Sequence, residues 1–306
     1  MQNGRVEAVI RAEGLTKYYG QRRGIDELDL AVAPGEIFGF LGPNGAGKTT
    51  TIRILLDLIR PTGGSVRVLG LEPRRAGADL RRRLGYLPGD FVVDGGQSSR
   101  ELLVHLGHLR GGVPEARIRQ LADRMELELY ARIRSLSKGK RQKVGVIPAF
   151  MHEPELLILD EPTSGLDPLL QQTFLALARE AKAAGSTIFM SSHVLSEVQQ
   201  SADRVGIIRD GRMIAVEAVE ELRRRAVRQV EIRFDAPVPL ETFAVLPGIS
   251  EAALDGSVLR CRLTGRADPL VKAAARWGVE SMVVEEPDLE ALFFTYYRDE
   301  AAPDAP

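Results

Sequence analysis

Alternation of apolar and polar positions divides the chain into short strands and longer helices in a regular order. Residues 5–12 and 24–32 alternate and predict two β-strands, with turn signals at Gly14, Gly20 and Pro34-Gly35. Residues 37–41, Ile-Phe-Gly-Phe-Leu, are a continuous apolar run of the kind a fully buried strand carries. A glycine-rich turn follows, then a helix over 48–58 ended by Pro61 and Gly63-Gly64. A strand at 65–69 and a helix near 79–83 come next. From 101 to 151 the pattern is mostly helical and reads as an inserted helical subdomain over about 88–152.

Strand periodicity returns at 156–159 and 187–190, alternating with helices at 169–184 and 194–200. A hairpin-like pair, 204–209 and 212–216 about Asp210-Gly211, closes this part. Strands alternating with helices predict an α/β fold built on a mostly parallel sheet with helices on both faces, plus the antiparallel β elements at the front. The pattern changes after the charged run 220–225. A strand at 230–234, a short helix at 240–246, a hairpin at 249–254 and 258–263, a helix at 270–277, a strand at 280–284 and a helix at 289–297 follow. That βαββαβ order predicts a small ferredoxin-like α+β domain. The expected organisation is therefore a first domain over 5–222, an accessory domain over 223–300 and a disordered tail over 301–306.

Composition narrows the function classes. Among 306 residues, 41 Lys and Arg oppose 42 Asp and Glu, a formal charge of −1, which argues against a protein that coats nucleic acid or adheres to anionic membranes. Arg81-Arg82-Arg83 reads as a solvated helix face, and no nucleic-acid partner is expected. Cys261 is the one cysteine, so no internal disulfide forms, and the first residues lack the apolar core of a signal peptide. A cytosolic location is expected. No apolar run approaches the roughly 20 residues that span a bilayer; the best, 144–159, is interrupted by Pro148, His152, Glu153, Pro154 and Glu155. Any transport role needs a pore from another chain.

The chemistry-bearing residues start with Gly42-Pro43-Asn44-Gly45-Ala46-Gly47-Lys48-Thr49, which fits G-x-x-x-x-G-K-[ST] between a predicted strand and a predicted helix. Glycines there let successive backbone N–H groups curl around a polyphosphate. Lys48 adds a compact charge near the β and γ phosphates, and the helix N-terminus adds partial positive charge. Thr49 offers a hydroxyl to Mg²⁺, and Thr50 reaches the α phosphate. Asp160, ending the apolar strand 156–159, is the hard anionic ligand that Mg²⁺ also needs. Glu161 follows directly and is the candidate general base that orients water.

Leu136-Ser137-Lys138-Gly139-Lys140-Arg141-Gln142 precedes a helix leading back to the acidic strand. It resembles the LSGGQ signature of ABC-family ATPases. Leu136, Ser137 and Gly139 match, while Lys138 replaces the first glycine and Lys140 the glutamine. Further matches follow in the family's order. Ser164-Gly165-Leu166-Asp167 resembles the D-loop that couples two nucleotide sites across a dimer, and Asp167 is counted among the nucleotide-site residues. His193, after Ser191-Ser192, resembles the switch histidine that contacts the γ-phosphate. Tyr19 resembles the aromatic that stacks on adenine, with Tyr18 the alternative.

The resemblance covers about 5–220. It implies ATP and Mg²⁺ as cofactors, Lys48, Glu161 and His193 as catalytic groups, and a head-to-tail homodimer in which Ser137 and Gly139 complete the partner's site. One departure stands out. After Tyr86-Leu87-Pro88 the family's glutamine is replaced by Gly89, and Asp90 is the adjacent acid. A carboxylate there is repelled by Glu161 and the γ-phosphate unless Mg²⁺ intervenes. Glu286-Pro287-Asp288-Leu289-Glu290-Ala291-Leu292-Phe293 resembles the closing segment of exporters in the antibiotic- and multidrug-resistance branch, which pair one ATPase chain with a separate permease. The expected function is thus ATP-driven export of a drug, antibiotic or lipid-like molecule from the cytoplasmic face of the membrane. The rival is a soluble ABC ATPase acting on ribosomes or DNA. Ribosome-acting members usually carry two cassettes and DNA-repair members a long coiled coil, and 51–135 contains no sustained heptads. A plain P-loop kinase would lack the signature.

Overall fold

The computed structural model describes residues 7–93, 96–225 and 227–285, and contacts divide the chain into two units between Val216 and Glu217. The division falls ahead of residue 222 because helix α8 (Val219–Arg225) groups with the second unit.

In the first unit β1 (Ile10–Tyr19) and β2 (Arg22–Val32) form an antiparallel pair, with β4 (Gly63–Val68) on the far side of β1. Gly14 does not end β1 as its turn signal predicts. It sits in a bulge where the register shifts between Ala12 and Leu15, and its N–H donates to Asp29 Oδ1 at 2.7 Å. The strand therefore runs on and carries Tyr19 to its tip.

The second sheet has the order β5-β6-β7-β3-β8-β9. Its members are β3 (Ile37–Leu41), β5 (Leu84–Leu87), β6 (Leu156–Asp160), β7 (Thr187–Ser192), β8 (Arg204–Arg209) and β9 (Arg212–Ala218). The ladders among the first five are parallel. β3, β6 and β7 are buried at every position, because helices cover both faces of a parallel sheet. β3 is apolar throughout, whereas β6 ends in Asp160 and β7 in Ser191-Ser192, polar groups buried at the strand ends. Phe38 and Phe189 stack at 5.9 Å between neighbouring strands.

Helices α1 (Lys48–Leu55), α6 (Pro168–Ala183) and α7 (Leu195–Ser201) follow β3, β6 and β7. α2 (Pro73–Arg82) starts well before the expected 79–83, with Pro73 in its first turn and Gly77 breaking it at φ 55°, ψ −122°. α3 (Ser99–Leu109), α4 (Glu115–Arg124) and α5 (Lys138–Phe150) form the helical insertion. Arg124 forks onto Glu180 of α6 at 2.6 and 2.8 Å. Arg110, just past α3, donates to the carbonyls of Arg81 and Leu84. These contacts tie the insertion to the sheet layer.

The second unit contains β10 (Arg228–Phe234), α9 (Glu241–Ala244), β11 (Ile249–Asp255), β12 (Val258–Leu263), α10 (Asp268–Ala274) and β13 (Val279–Val284). The antiparallel order β11-β12-β10-β13 is the ferredoxin-like arrangement. Val230, Ile232, Phe234, Leu259 and Leu263 pack with Phe243 and Leu270 into its core. The segment 286–293, the helix expected at 289–297 and the tail lie outside the described residues. Among the described residues no helix is long and apolar enough to cross a membrane.

Candidate functional site

The site forms at the carboxyl ends of β3, β6 and β7, where loops of an open α/β sheet gather functional groups. After Leu41 the chain turns through Gly45 and Gly47, at φ +83° and +112°, and enters α1. A Cβ on Gly47 would meet the Gly24 carbonyl at 2.7 Å, so both the left-handed φ and the close approach require glycine there. Lys48 is buried, and its Nζ donates to the carbonyls of Gly42 at 2.6 Å and Pro43 at 3.2 Å. Ala46 is buried and accepts from Gly211 N–H at 2.9 Å, fixing the loop from below.

β6 delivers the acids. Thr49 Oγ1 donates to Asp160 Oδ2 at 2.9 Å, and Ser191 Oγ donates to Asp160 Oδ1 at 2.6 Å. Glu161 turns sharply at φ +49°, a left-handed conformation that is costly outside glycine. Its carboxylate meets Lys48 Nζ at 3.1 Å through Oε1, while His193 Nδ1 donates to Oε2 at 2.5 Å. Residues 48, 49, 160, 161 and 193 are therefore brought into one connected network. Burial, then the Asp160 charge, holds the Tyr86 hydroxyl above its usual range.

A cavity of about 550 Å³ beside this network is lined by Tyr19, Asn44, Gly45, Gly47, Lys48, Thr49, Thr50 and Glu161. Arg22, Arg23 and Arg53 line it too, and the sequence reading did not include them. Lys17 Nζ lies 5.3 Å over the Tyr19 ring, and the ring edge packs against Gly24. Tyr19, and not Tyr18, lines the cavity.

Ser137, Gly139 and Asp167 do not line this cavity; they belong to a second cluster. Ser137 Oγ accepts from Lys140 N–H at 3.3 Å and caps α5, while Asp167 accepts from Leu170 N–H at 3.1 Å and caps α6. The two loops touch: a Cβ on Gly139 would fall 2.6 Å from the Gly165 carbonyl oxygen. That approach explains why glycine stays at 139 although lysines flank it. Lys140 leans away to Glu128 at 3.0 Å. Gly89 lies beside Asp160, where a Cβ would sit 3.6 Å from its Oδ2. The sequence departure therefore falls directly against the candidate metal-ligating carboxylate.

Sequence reasoning also missed Ser191 as a site residue. The signal was two polar residues, Ser191-Ser192, closing an apolar strand, and the structure extends β7 through both.

A family model described as ABC transporter matches residues 25–164. The chain is 36% identical over 234 residues to the bacitracin transport ATP-binding protein BcrA of Bacillus licheniformis, covering 74% of this chain and 76% of that protein. It is 32% identical over 300 residues to the daunorubicin resistance ATP-binding protein DrrA3 of Streptomyces coeruleorubidus, covering 94% and 95%. A solved structure described as an ATP-binding subunit of an ABC transporter superposes with TM-score 0.65 at 30% identity, covering 71% of this chain and 92% of that one.

Proposed function

Because the chain belongs to the ABC transporter family as an ATP-binding, ATP-hydrolysing subunit, we propose that it works as a head-to-tail dimer on a separate permease and powers export of an antibiotic or drug-like molecule. The observation that carries the catalytic part is the network in which Lys48, Glu161 and His193 meet beside Thr49 and Asp160. The export assignment draws on relatives described by bacitracin transport and daunorubicin resistance. On this reading the chain sits at the cytoplasmic face of the membrane, held there by the permease, and the second unit, which starts at Glu217, is an accessory domain.

In this reading the phosphate loop offers its backbone N–H groups and Lys48 its ammonium to the β and γ phosphates, and Tyr19 stacks on adenine. Thr49 Oγ1 and Asp160 Oδ2, 2.9 Å apart at the loop rim, are the hard oxygens that suit Mg²⁺. When bound with the nucleotide, Mg²⁺ neutralises charge on the phosphate oxygens. Glu161 accepts a hydrogen bond from the attacking water and orients it, and His193 holds the Glu161 carboxylate at that angle. Lys48 bonds Glu161 directly, so phosphates drawing Lys48 toward themselves free one carboxylate oxygen for water. Ser137 and Gly139 stand outside the cavity, which supports their serving the site of a second copy.

Glu161→Gln tests the catalytic reading. The variant keeps MgATP binding, loses at least about 100-fold in hydrolysis, and accumulates as an ATP-bound dimer in size-exclusion chromatography. Near-normal steady-state hydrolysis would refute the base assignment. Copurification of the tagged chain from its native membranes with an untagged membrane protein tests the permease partnership, and recovery with ribosomes instead would count against export.

A further inference from the structure

We infer that Ser191 is the positioning residue that aims both acids of the hydrolytic site, an inference that rests on the proposed roles of Asp160 and Glu161. Ser191 is fully buried and directly opposite Asp160 in the β6–β7 ladder. A serine hydroxyl has one proton and two lone pairs. Here the proton goes to Asp160 Oδ1 at 2.6 Å, and a lone pair accepts Glu161 N–H at 3.0 Å. One oxygen therefore holds the side chain of the first acid and the backbone of the second.

Each bond has a separate consequence. Fixing Oδ1 sets the rotation of the Asp160 carboxylate, so its other oxygen faces Thr49 at 2.9 Å, where the metal ligands converge. Holding the Glu161 N–H anchors the peptide between the acids, at the residue that must stay at φ +49° for its carboxylate to reach Lys48 and His193. Ser191 cannot swing aside, because β7 is paired on both edges, to β6 and to β3. The neighbouring Ser192 does different work: its hydroxyl accepts Val194 N–H at 2.9 Å and donates to Glu197 at 2.8 Å, shaping the loop that carries His193.

The test uses the full chain with Ser191→Cys, Ser191→Ala and Ser191→Thr. Cysteine nearly preserves volume but is a weak donor and acceptor, so it isolates the hydrogen bonds from packing. The Cys and Ala variants lose about 10- to 100-fold in kcat, the usual effect of removing a group that orients a metal ligand, with little change in KM for ATP. Measured in a Glu161→Gln background, where ATP persists, the Mg²⁺ concentration for half-maximal ATP binding rises about 10-fold or more. Threonine restores both readouts. A folded Cys variant with parental kcat and Mg²⁺ dependence overturns the inference, even if its Tm is lower, because the role is then structural. A folded Thr variant as slow as the Cys variant also overturns it. Rapid hydrolysis by Glu161→Gln alone would instead overturn the catalytic reading on which this inference stands.

Discussion

Replacing Gly139 by alanine sets two known effects against each other, and the geometry decides the sign. Gly139 is the second residue of α5, and alanine there is favoured by at most about 1 kcal/mol of helix propensity over glycine. The added Cβ, however, falls 2.6 Å from the Gly165 carbonyl oxygen, whereas close carbon–oxygen contacts lie near 3.3–3.6 Å. Backbone on one side or the other must retreat by roughly 0.7–1 Å, and such overpacking costs about 1–3 kcal/mol. The expected net loss is about 0–2 kcal/mol, read as a lowered urea midpoint. Turnover falls further, by about 5- to 30-fold, if 1–2 kcal/mol of the strain is relieved by moving the two loops out of position. The control is Lys140→Ala, which removes only an exposed pair with Glu128 and changes stability by no more than about 1 kcal/mol. An alanine variant at 139 that is stabilised by about 1 kcal/mol and hydrolyses ATP normally would show that the Gly165 approach imposes no constraint.

Heterodimers of a Lys48→Ala chain with a Ser137→Ala chain contain one intact composite site and recover nucleotide occlusion, whereas a site built within one chain gives none. Tyr19→Ala raises the Kd for ATP about 3- to 10-fold, the worth of one aromatic stack, while Tyr19→Phe does not; equilibrium binding distinguishes them. Bidentate hydrogen bonds from Arg124 hold the Glu180 carboxyl below the usual carboxylate range. A depressed folded pKa stabilises above the unfolded pKa and ceases to do so as pH falls through the folded value. Glu180→Gln therefore costs up to about 1 kcal/mol at pH 7, and the gap in urea midpoint starts to close as pH falls below the ordinary glutamate value of about 4.3 and vanishes below the lowered folded one.

The phosphate loop, the acids at the end of β6 and the βαββαβ order of the second unit were legible because each rests on a local pattern. Glycines, a lysine and an apolar run lie within a dozen residues of one another, and alternation survives in an antiparallel sheet with one charged face. Longer-range facts were not. β5 is only Leu84-Gly85-Tyr86-Leu87 and becomes a strand by pairing with β6, more than 70 residues away. Gly14 carries the same turn signal whether it ends a strand or bulges within it, and only the Asp29 carboxylate decides. Ser191 looked like the start of a loop, because its value comes from lying opposite Asp160. Gly139 likewise keeps its identity through Gly165, a contact that no local window contains.

The strand order also bears on how the protein is made. β3 sits between β7 and β8, and both arrive roughly 150 residues later on the growing chain. At roughly 5–20 residues per second, Ile37–Leu41 leaves the ribosome on the order of 10–30 s before either flanking strand exists. For that interval a wholly apolar strand has two unpaired edges, the arrangement most prone to associate with other chains. Closing so long a loop is slow as well as late. Yield on overexpression therefore depends on temperature and on chaperones that shield nascent β3. The geometry joining Lys48 to Glu161 and His193 assembles only once His193 has been synthesised, so a chain truncated before β7 cannot form this network, however intact its glycine-rich loop.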